Sequence, residues 1–412
     1  RWSPAPTALP ASNSWVRGAR DDRLGGNRDI KMKFSFFMMP THHPSENPTL
    51  AFHRDIDLIP YVENLGYDSF HIGEHHSGGW ETMPSPEMAL SMAAAKTSRI
   101  GLGTSVVNLP FHHPYQVAER IAFLDHLSYG RATLGIGPSS LVTDKKLFNI
   151  DSDAARRMMG ESADIIVRLL EADDPISHDG EFWRFNDLRL QLKSYQQPRL
   201  PLALPTTGGA EGLDMAARHD MDLWTPCGLN RPGDGVFTEF WKNYEGACDR
   251  HGKTANRDKW HLVSNFYLAD TREEAWADVS EGIMRETGYF TSIGFTPLYE
   301  AYPGQPISEF TPQSVVERRD WVVGTPDDAI AWIEKKIADN GMFGGVMLTT
   351  HEWAGTEKLK RSLEMFARYV IPHFNAGRYN YKAEAQLLAD QVKAHGAVPL
   401  DVGAKPSNLA LK

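Results

Sequence analysis

Asp68-Ser69-Phe70-His71-Ile72-Gly73-Glu74-His75-His76 is the stretch on which the reading of the fold turns. Aromatic and β-branched residues following the Gly66-Tyr67 turn read as a buried strand. The run then stops abruptly in an acid and two imidazoles. Such an ending belongs either to a solvated loop or to the C-terminal mouth of a β/α barrel, where barrel enzymes keep their chemistry. The choice rests on whether the flanking sequence supplies further strands in alternation with helices.

It does on both sides. Upstream, 33–39 (KFSFFMM) is an apolar run closed by Pro40 and the loop Thr41-His42-His43-Pro44. Between the two runs, Leu50, Ile56, Leu58, Ile59, Val62 and Leu65 recur at helical spacing, and Gly66 is a natural stop. Downstream, 86–96 is a helix with Pro at its first turn, 100–107 (IGLGTSVV) a third strand, 115–128 a helix and 132–136 a fourth strand. A long helix over 153–171 follows, then an excursion at 182–192 of one or two strands.

Residues 202–205 resume as a fifth strand, and Thr206-Thr207-Gly208-Gly209 opens a helix reaching His219. A sixth strand is expected at 222–224, a helix at 236–250 and a seventh strand at 261–268. The helix at 271–289 carries a capping-box signature, Thr271 with Glu274. Residues 290–320, rich in Pro, Gly and Ser, are too long for an ordinary connection and are expected to form a lid or mobile wall. Thr325 and Pro326 start another helix, 344–350 (GGVMLTT) is the eighth strand and 356–370 the last barrel helix. Eight strands alternating with helices predict an α/β protein, a TIM (β/α)8 barrel with an insertion before the last strand. No Gly-x-Gly-x-x-Gly segment joins a strand to a helix, so a doubly wound dinucleotide fold lacks support.

The barrel is expected to span 32–376. Residues 1–31 have no apolar period and read as a disordered leader, appended or mis-started, while 377–412 form a polar tail with a helix near 383–394. Of 412 residues, 41% are hydrophobic and 23% charged, an ordinary globular balance. A formal charge of -10 without a Lys/Arg stripe argues against nucleic acid as a partner. No segment approaches roughly 18 consecutive apolar residues, so a membrane span is not expected. Cys227 and Cys248 lack metal or redox spacing and read as free thiols in a reducing cytoplasm.

Residues after each strand converge on one mouth in a barrel. Here they bring His42 and His43, Glu74 to His76, Asn108 with His112 and His113, Thr206 to Gly209, and His351 with Glu352. A zinc hydrolase is one reading of so many imidazoles, but barrel hydrolases pair His-x-His on the first strand, and His42-His43 are adjacent. The Thr206 to Gly209 loop suits a phosphate cradle, with hydroxyls and close-approach glycines at a helix start; a plain helix cap is the alternative. Arg156 and Arg157 offer a counter-charge, or ordinary surface ion pairs. Phosphate binding without a dinucleotide fingerprint suggests a mononucleotide such as FMN. Phe36, Met38, Trp80, Phe111, Trp224 and Trp353 lie near strand ends as core or as substrate wall.

These residues together resemble the luciferase-like flavin-dependent monooxygenase family, the group of bacterial luciferase, over 33–374. The specific pieces are Met32-Lys33-Phe34, Gly73-Glu74-His75-His76, Gly103-Thr104-Ser105-Val106-Val107 with Leu109-Pro110, Leu124-Asp125 with Gly130-Arg131, and Val323-Gly324-Thr325-Pro326. The resemblance implies reduced FMN, supplied by a separate flavin reductase, reacting with O2 through a C4a-(hydro)peroxyflavin to oxygenate a small apolar substrate such as a terpenoid, ketone or aldehyde. It implies a homodimer. It marks His75 as the catalytic acid/base, with Glu74 and His76 positioning it. Ser105 and Val106, where the family holds a non-proline cis peptide, Arg156, and Thr206, Thr207, Gly208 and Gly209 become the cofactor contacts; Met38, His42, Glu74, Asn108 and Trp353 become the substrate pocket.

Pro138 in place of an arginine and Thr-Thr-Gly in place of Ala-Glu-Ser depart from luciferase itself, and the chain looks more like the branch of limonene-type monooxygenases. A deazaflavin-dependent hydride-transferring enzyme on the same fold is the alternative function, and a metallohydrolase a more distant one.

Overall fold

The runs read from the sequence as strands pair, each with the next, into a closed parallel barrel. The computed structural model describes residues 31–229, 236–350, 353–375 and 381–395. The expected leader (save Lys31), most of the tail, and His351 and Glu352 lie outside the described residues. The eight barrel strands are Lys33–Met38, Ser69–Ile72, Gly101–Thr104, Ala132–Gly137, Leu202–Pro205, Asp222–Pro226, Trp260–Leu268 and Gly345–Thr350. In register, Ser35 stands beside Ser69, Ser69 beside Gly101, Leu102 beside Ala132 and Leu134 beside Leu202. Ala203 stands beside Asp222, Leu223 beside Trp260 and His261 beside Gly345; Lys33 beside Gly345 closes the ring.

Side chains alternate across a strand. Phe34, Phe36 and Met38 of the first strand are buried in the core shared with the helical layer, whereas Ser35 and Phe37 face the barrel axis. The axis is filled. Ala203, Trp224 and Met347 pack together with Phe37 and Val263, and the His71 ring meets Trp224 edge-on at 4.7 Å. Ser69 Oγ donates to Ser35 Oγ at 2.7 Å and bonds His71 Nε2 at 2.8 Å. Burial lowers His71 to about 3 and His261 to about 4, so both axial imidazoles are neutral near pH 7. The His71 imidazole is therefore a packing group.

Several pieces of the family resemblance prove to serve the fold. Asp125 accepts from the Gln196 backbone N–H at 2.9 Å and from its side chain at 2.8 Å. Arg131 donates to the carbonyls of Ser128 and Ile100 at 2.7 and 2.8 Å, tying the third strand's start to the fourth. Of the expected capping box, Thr271 Oγ1 accepts from the Glu274 N–H at 3.1 Å, which caps the helix Arg272–Ser292.

The excursion is a two-stranded antiparallel hairpin, Ile176–Asp179 with Arg184–Leu188. Its first strand escaped the sequence reading because Ile-Ser-His-Asp is too polar to register. A short strand, Val322–Gly324, pairs in parallel with Phe266 to Leu268, where only a helix cap was expected. The stretch 290–320 contains two 3-10 turns and the helix Pro312–Arg318. Together with Arg272–Ser292 it builds a second apolar core, around Tyr267, Ile283, Phe310 and Trp321. The tail's expected helix is Tyr381–His395. No described helix is long and apolar enough to cross a membrane.

Candidate active site

The strand C-termini and the 290–320 segment enclose a cavity of about 510 Å³. Its barrel side is largely apolar, with Phe37, Val106, Ile136, Trp224, Val263 and Met347 among the lining. The Ser105–Val106 peptide there is cis, at the point where the third strand breaks before resuming as Val107–Asn108. Gly137 faces Val106 so closely that a Cβ would lie 2.6 Å from its Cγ2, so the end of the fourth strand has room only for glycine.

His75 lines this cavity. Its Nδ1–H donates to Asp144 Oδ2 at 2.9 Å, and its Nε2 lies 3.5 Å from Glu81 Oε2. Burial alone would lower its pKa. The Asp144 hydrogen bond and the charges of Glu81 and Asp144 outweigh that and raise it. The Glu81 carboxylate is buried in the cavity wall, where His75 and the Tyr289 hydroxyl face it; burial raises its pKa.

Glu74 plays another part than positioning His75. Its Oε1 accepts from His76 Nε2 at 2.8 Å and from His112 Nε2 at 2.9 Å, and its Oε2 accepts from the Asn108 N–H at 3.1 Å. Burial works to raise its pKa, but the bonds from His112 and His76 hold it below the usual range. The three groups bring potential metal-ligand atoms within 4.8 Å of one another. As placed, they satisfy each other, and they brace the Asn108 loop against the end of the second strand.

The other expected pocket residues divide. Ser105, Val106, Glu74 and Asn108 line the cavity, as does Trp224. Met38 does not: period-two alternation turns it outward into the helix-facing core, and its neighbours Phe37 and Met39 line the cavity instead. His42 is buried behind the first strand, 2.6 Å from Asp55 Oδ2. Trp353 packs on Trp321 and donates from Nε1 to Glu286 Oε2 at 2.6 Å, one layer behind the lining.

Among the expected phosphate contacts, Thr206 Oγ1 accepts from the Gly208 N–H at 3.1 Å. Gly209 begins the helix Ala210–His219 without a side-chain cap. Pro205, immediately before this loop, lines the cavity. Arg156 is at the surface, paired with Asp153 at 3.0 Å, and Arg157 pairs with Glu181 at 3.0 Å; neither lines the cavity.

Several lining residues went unread in the sequence. Glu81, Asn265, Glu286, Tyr299 and Arg319 all face the cavity. Thr349 Oγ1 donates to Asn265 Oδ1, and Asn265 Nδ2 has no hydrogen-bond partner among the described residues. Burial pushes Glu286 up to about 8. The length of the 290–320 segment marked a wall, but no periodicity there singles out a residue.

Fold and site together define a β/α barrel with a buried, mixed polar and apolar cavity at its strand C-termini. Residues 32–342 match the model of the luciferase-like monooxygenases, and the chain belongs to that family. It is 34% identical over 370 residues to 4-hydroxyprotoasukamycin monooxygenase of Streptomyces nodosus subsp. asukaensis, covering 89% of this chain and 99% of that one. It is also 34% identical over 345 residues to limonene 1,2-monooxygenase of Rhodococcus erythropolis, covering 84% and 87%. In fold it is similar to the oxygenating constituent of 3,6-diketocamphane monooxygenase from Pseudomonas putida, a type II Baeyer-Villiger monooxygenase solved in complex with FMN. That likeness has a TM-score of 0.72 at 21% identity and covers 83% of this chain and 99% of that one. The chain is accordingly an oxygenase of the monooxygenase class.

Proposed function

We propose that the chain is the oxygenase half of a two-component system. It would take reduced FMN from a separate flavin reductase and use O2 to oxygenate a small, largely apolar molecule. One observation carries this reading: the strand-end cavity gathers buried polar atoms that have no partner among the described residues around an otherwise apolar slot. These are Ser139 Oγ, Asn265 Nδ2 and two nitrogens of Arg319. Buried polar groups are ordinarily hydrogen-bonded, so this concentration fits a ligand with a flat apolar body and a polar edge. Ring systems of the flavin kind have that character.

Ser105 and Val106 would pack against the ring, and Thr206, Thr207, Gly208 and Gly209 would receive the phosphate on the uncapped start of Ala210–His219. Arg156 would have to leave its Asp153 partner to join them. When bound, reduced FMN supplies the two electrons that take one oxygen atom of O2 to water while the other enters the substrate.

The chain's own part is to hold, exclude and shuttle protons. His75 is anchored through Nδ1, so Nε2 is the atom that delivers or takes up a proton in the cavity. Its raised pKa keeps it charged nearer neutrality than a free imidazole. The apolar lining limits water at the reacting atoms, and the 290–320 wall would act as a lid over them. The separate reductase rests on the family resemblance, and the two buried free cysteines suit a cytoplasmic protein. A homodimer rests on the family resemblance alone.

The test is an anaerobic titration of the purified protein with photoreduced FMN, oxidised FMN and reduced deazaflavin, followed by stopped-flow mixing with O2. The proposal expects tightest binding of reduced FMN and slower return of oxidised-flavin absorbance than in free solution. Preference for the deazaflavin, with no reaction on oxygenation, would transfer the chain to hydride-transfer chemistry.

A further inference from the structure

Arg319 is the least expected group in the cavity wall. It follows the helix Pro312–Arg318, its Nε and Nη1 are buried without a hydrogen-bond partner among the described residues, and it lines the cavity. Its guanidinium lies 5.5 Å from the ring centre of Tyr299 and 5.4 Å from that of Trp321. Aromatic faces attract the cation but leave its in-plane donors unspent.

The backbone carrying it is fixed from three directions. Arg318 donates to Glu300 O and to Gly228 O, both at 2.9 Å, and Ser264 Oγ donates to Asp320 O at 2.8 Å. Gly228, at φ +68°, approaches so closely that a Cβ would stand 2.1 Å from the Arg319 carbonyl oxygen. The side chain is thus held facing the cavity. Glu286 lines the same cavity and its charge attracts the guanidinium, but Nε and Nη1 of Arg319 reach no hydrogen-bond acceptor among the described residues. A guanidinium stays charged, and buried donors of a charged group left without acceptors are costly unless a ligand pairs with them.

We infer that Arg319 recognises an anionic oxygen group, a carboxylate, phenolate or enolate, carried by the otherwise apolar substrate of this cavity. The inference rests on the cavity being the substrate chamber of the proposed monooxygenase. A pure hydrocarbon would leave both nitrogens unpaired and is disfavoured for that reason, since a site built to hydrogen-bond its ligand rejects the analogue lacking that group.

The experiment uses the full chain without flavin. Tryptophan fluorescence or calorimetry measures binding of 4-tert-butylbenzoate and of its neutral counterpart 4-tert-butylbenzamide. Wild type should prefer the benzoate by about 10- to 100-fold, the worth of a hydrogen bond to a charged group. Arg319→Met should bring the benzoate down to the benzamide's affinity, and Arg319→Lys should retain part of the preference. Unchanged benzamide binding in both variants shows that the cavity still forms. Equal binding of the two probes to wild type, or a benzoate preference that survives Arg319→Met, overturns the inference.

A second titration adds photoreduced FMN under argon. Benzoate that still binds alongside FMN supports a substrate-side role. Benzoate displaced by FMN overturns it, reassigning Arg319 to the cofactor while the flavin reading stands. A benzoate preference in a protein that binds no flavin keeps the anion site and removes the monooxygenase reading.

Discussion

His75 is tied through Nδ1 to Asp144 and turns Nε2 toward the Glu81 carboxylate, 3.5 Å away in the cavity wall. In the proposed reaction Nε2 is the nitrogen that would exchange a proton. His75→Ala should therefore bind reduced FMN as wild type does but lose product formation by ~10²- to 10⁴-fold, the usual share of general acid–base catalysis. Near-normal turnover, measured as product per reduced flavin consumed, would remove His75 from the reaction. The same pair makes a stability prediction. A histidine whose folded pKa is raised stabilises the fold fully below its ordinary value of about 6.5 and loses that contribution as pH rises through the raised value. The melting-temperature gap between wild type and His75→Gln should thus be widest below about pH 6.5 and shrink as the pH is raised above that value. A gap that widens with pH would contradict the pairing. At this scale the sequence was legible where a residue type is rare and clustered, as in Glu74 to His76. It was illegible for Glu81, Glu286 and Arg319, because single polar residues meet the cavity only through tertiary packing.

Elements were legible where hydrophobic period and stops coincided, which is why all eight strands could be placed. Their facing was not. A run such as Lys33–Met38 is apolar on both sides, so period two cannot say which set points at the axis; Phe37 lines the cavity where Met38 is the expectation. Loops hid their load as well: Asp144, in the short helix Val142–Leu147, holds His75 from 69 residues away. One element-level latch was likewise invisible. Glu63, on the helix Pro48–Leu65, accepts from the backbone N–H groups of Ser98, Arg99 and Ile100 at 3.0, 2.8 and 2.9 Å and fixes the entry to the third strand. Burial works to raise its pKa, yet those three donors hold it low. Glu63→Gln should cost about 2 kcal/mol in urea unfolding at neutral pH. A depressed carboxyl stabilises above its unfolded pKa of about 4.3, so the difference should disappear as pH falls through the lower folded value. A cost independent of pH would mean that shape, not charge, is what Glu63 supplies.

Across the whole molecule, two cores meet at the site: the barrel with its helices, and the smaller cluster beneath the 290–320 wall. The wall between Ser292 and Pro312 holds only 3-10 turns and few buried side chains, so its amides should open at lower cost than those of the strands. Hydrogen exchange should be fast over 293–311 and slow over the barrel strands, and 4-tert-butylbenzoate should slow the former. Protection there equal to that of the strands, with or without the probe, would show a fixed wall.

The filled barrel axis has a consequence for traffic. With Trp224, Met347 and Phe37 stoppering the tube beneath the cavity, no passage leads through the barrel's centre among the described side chains. Whatever enters or leaves is thereby confined to the strand-end half of the molecule, and the far end of the barrel serves only as a plug.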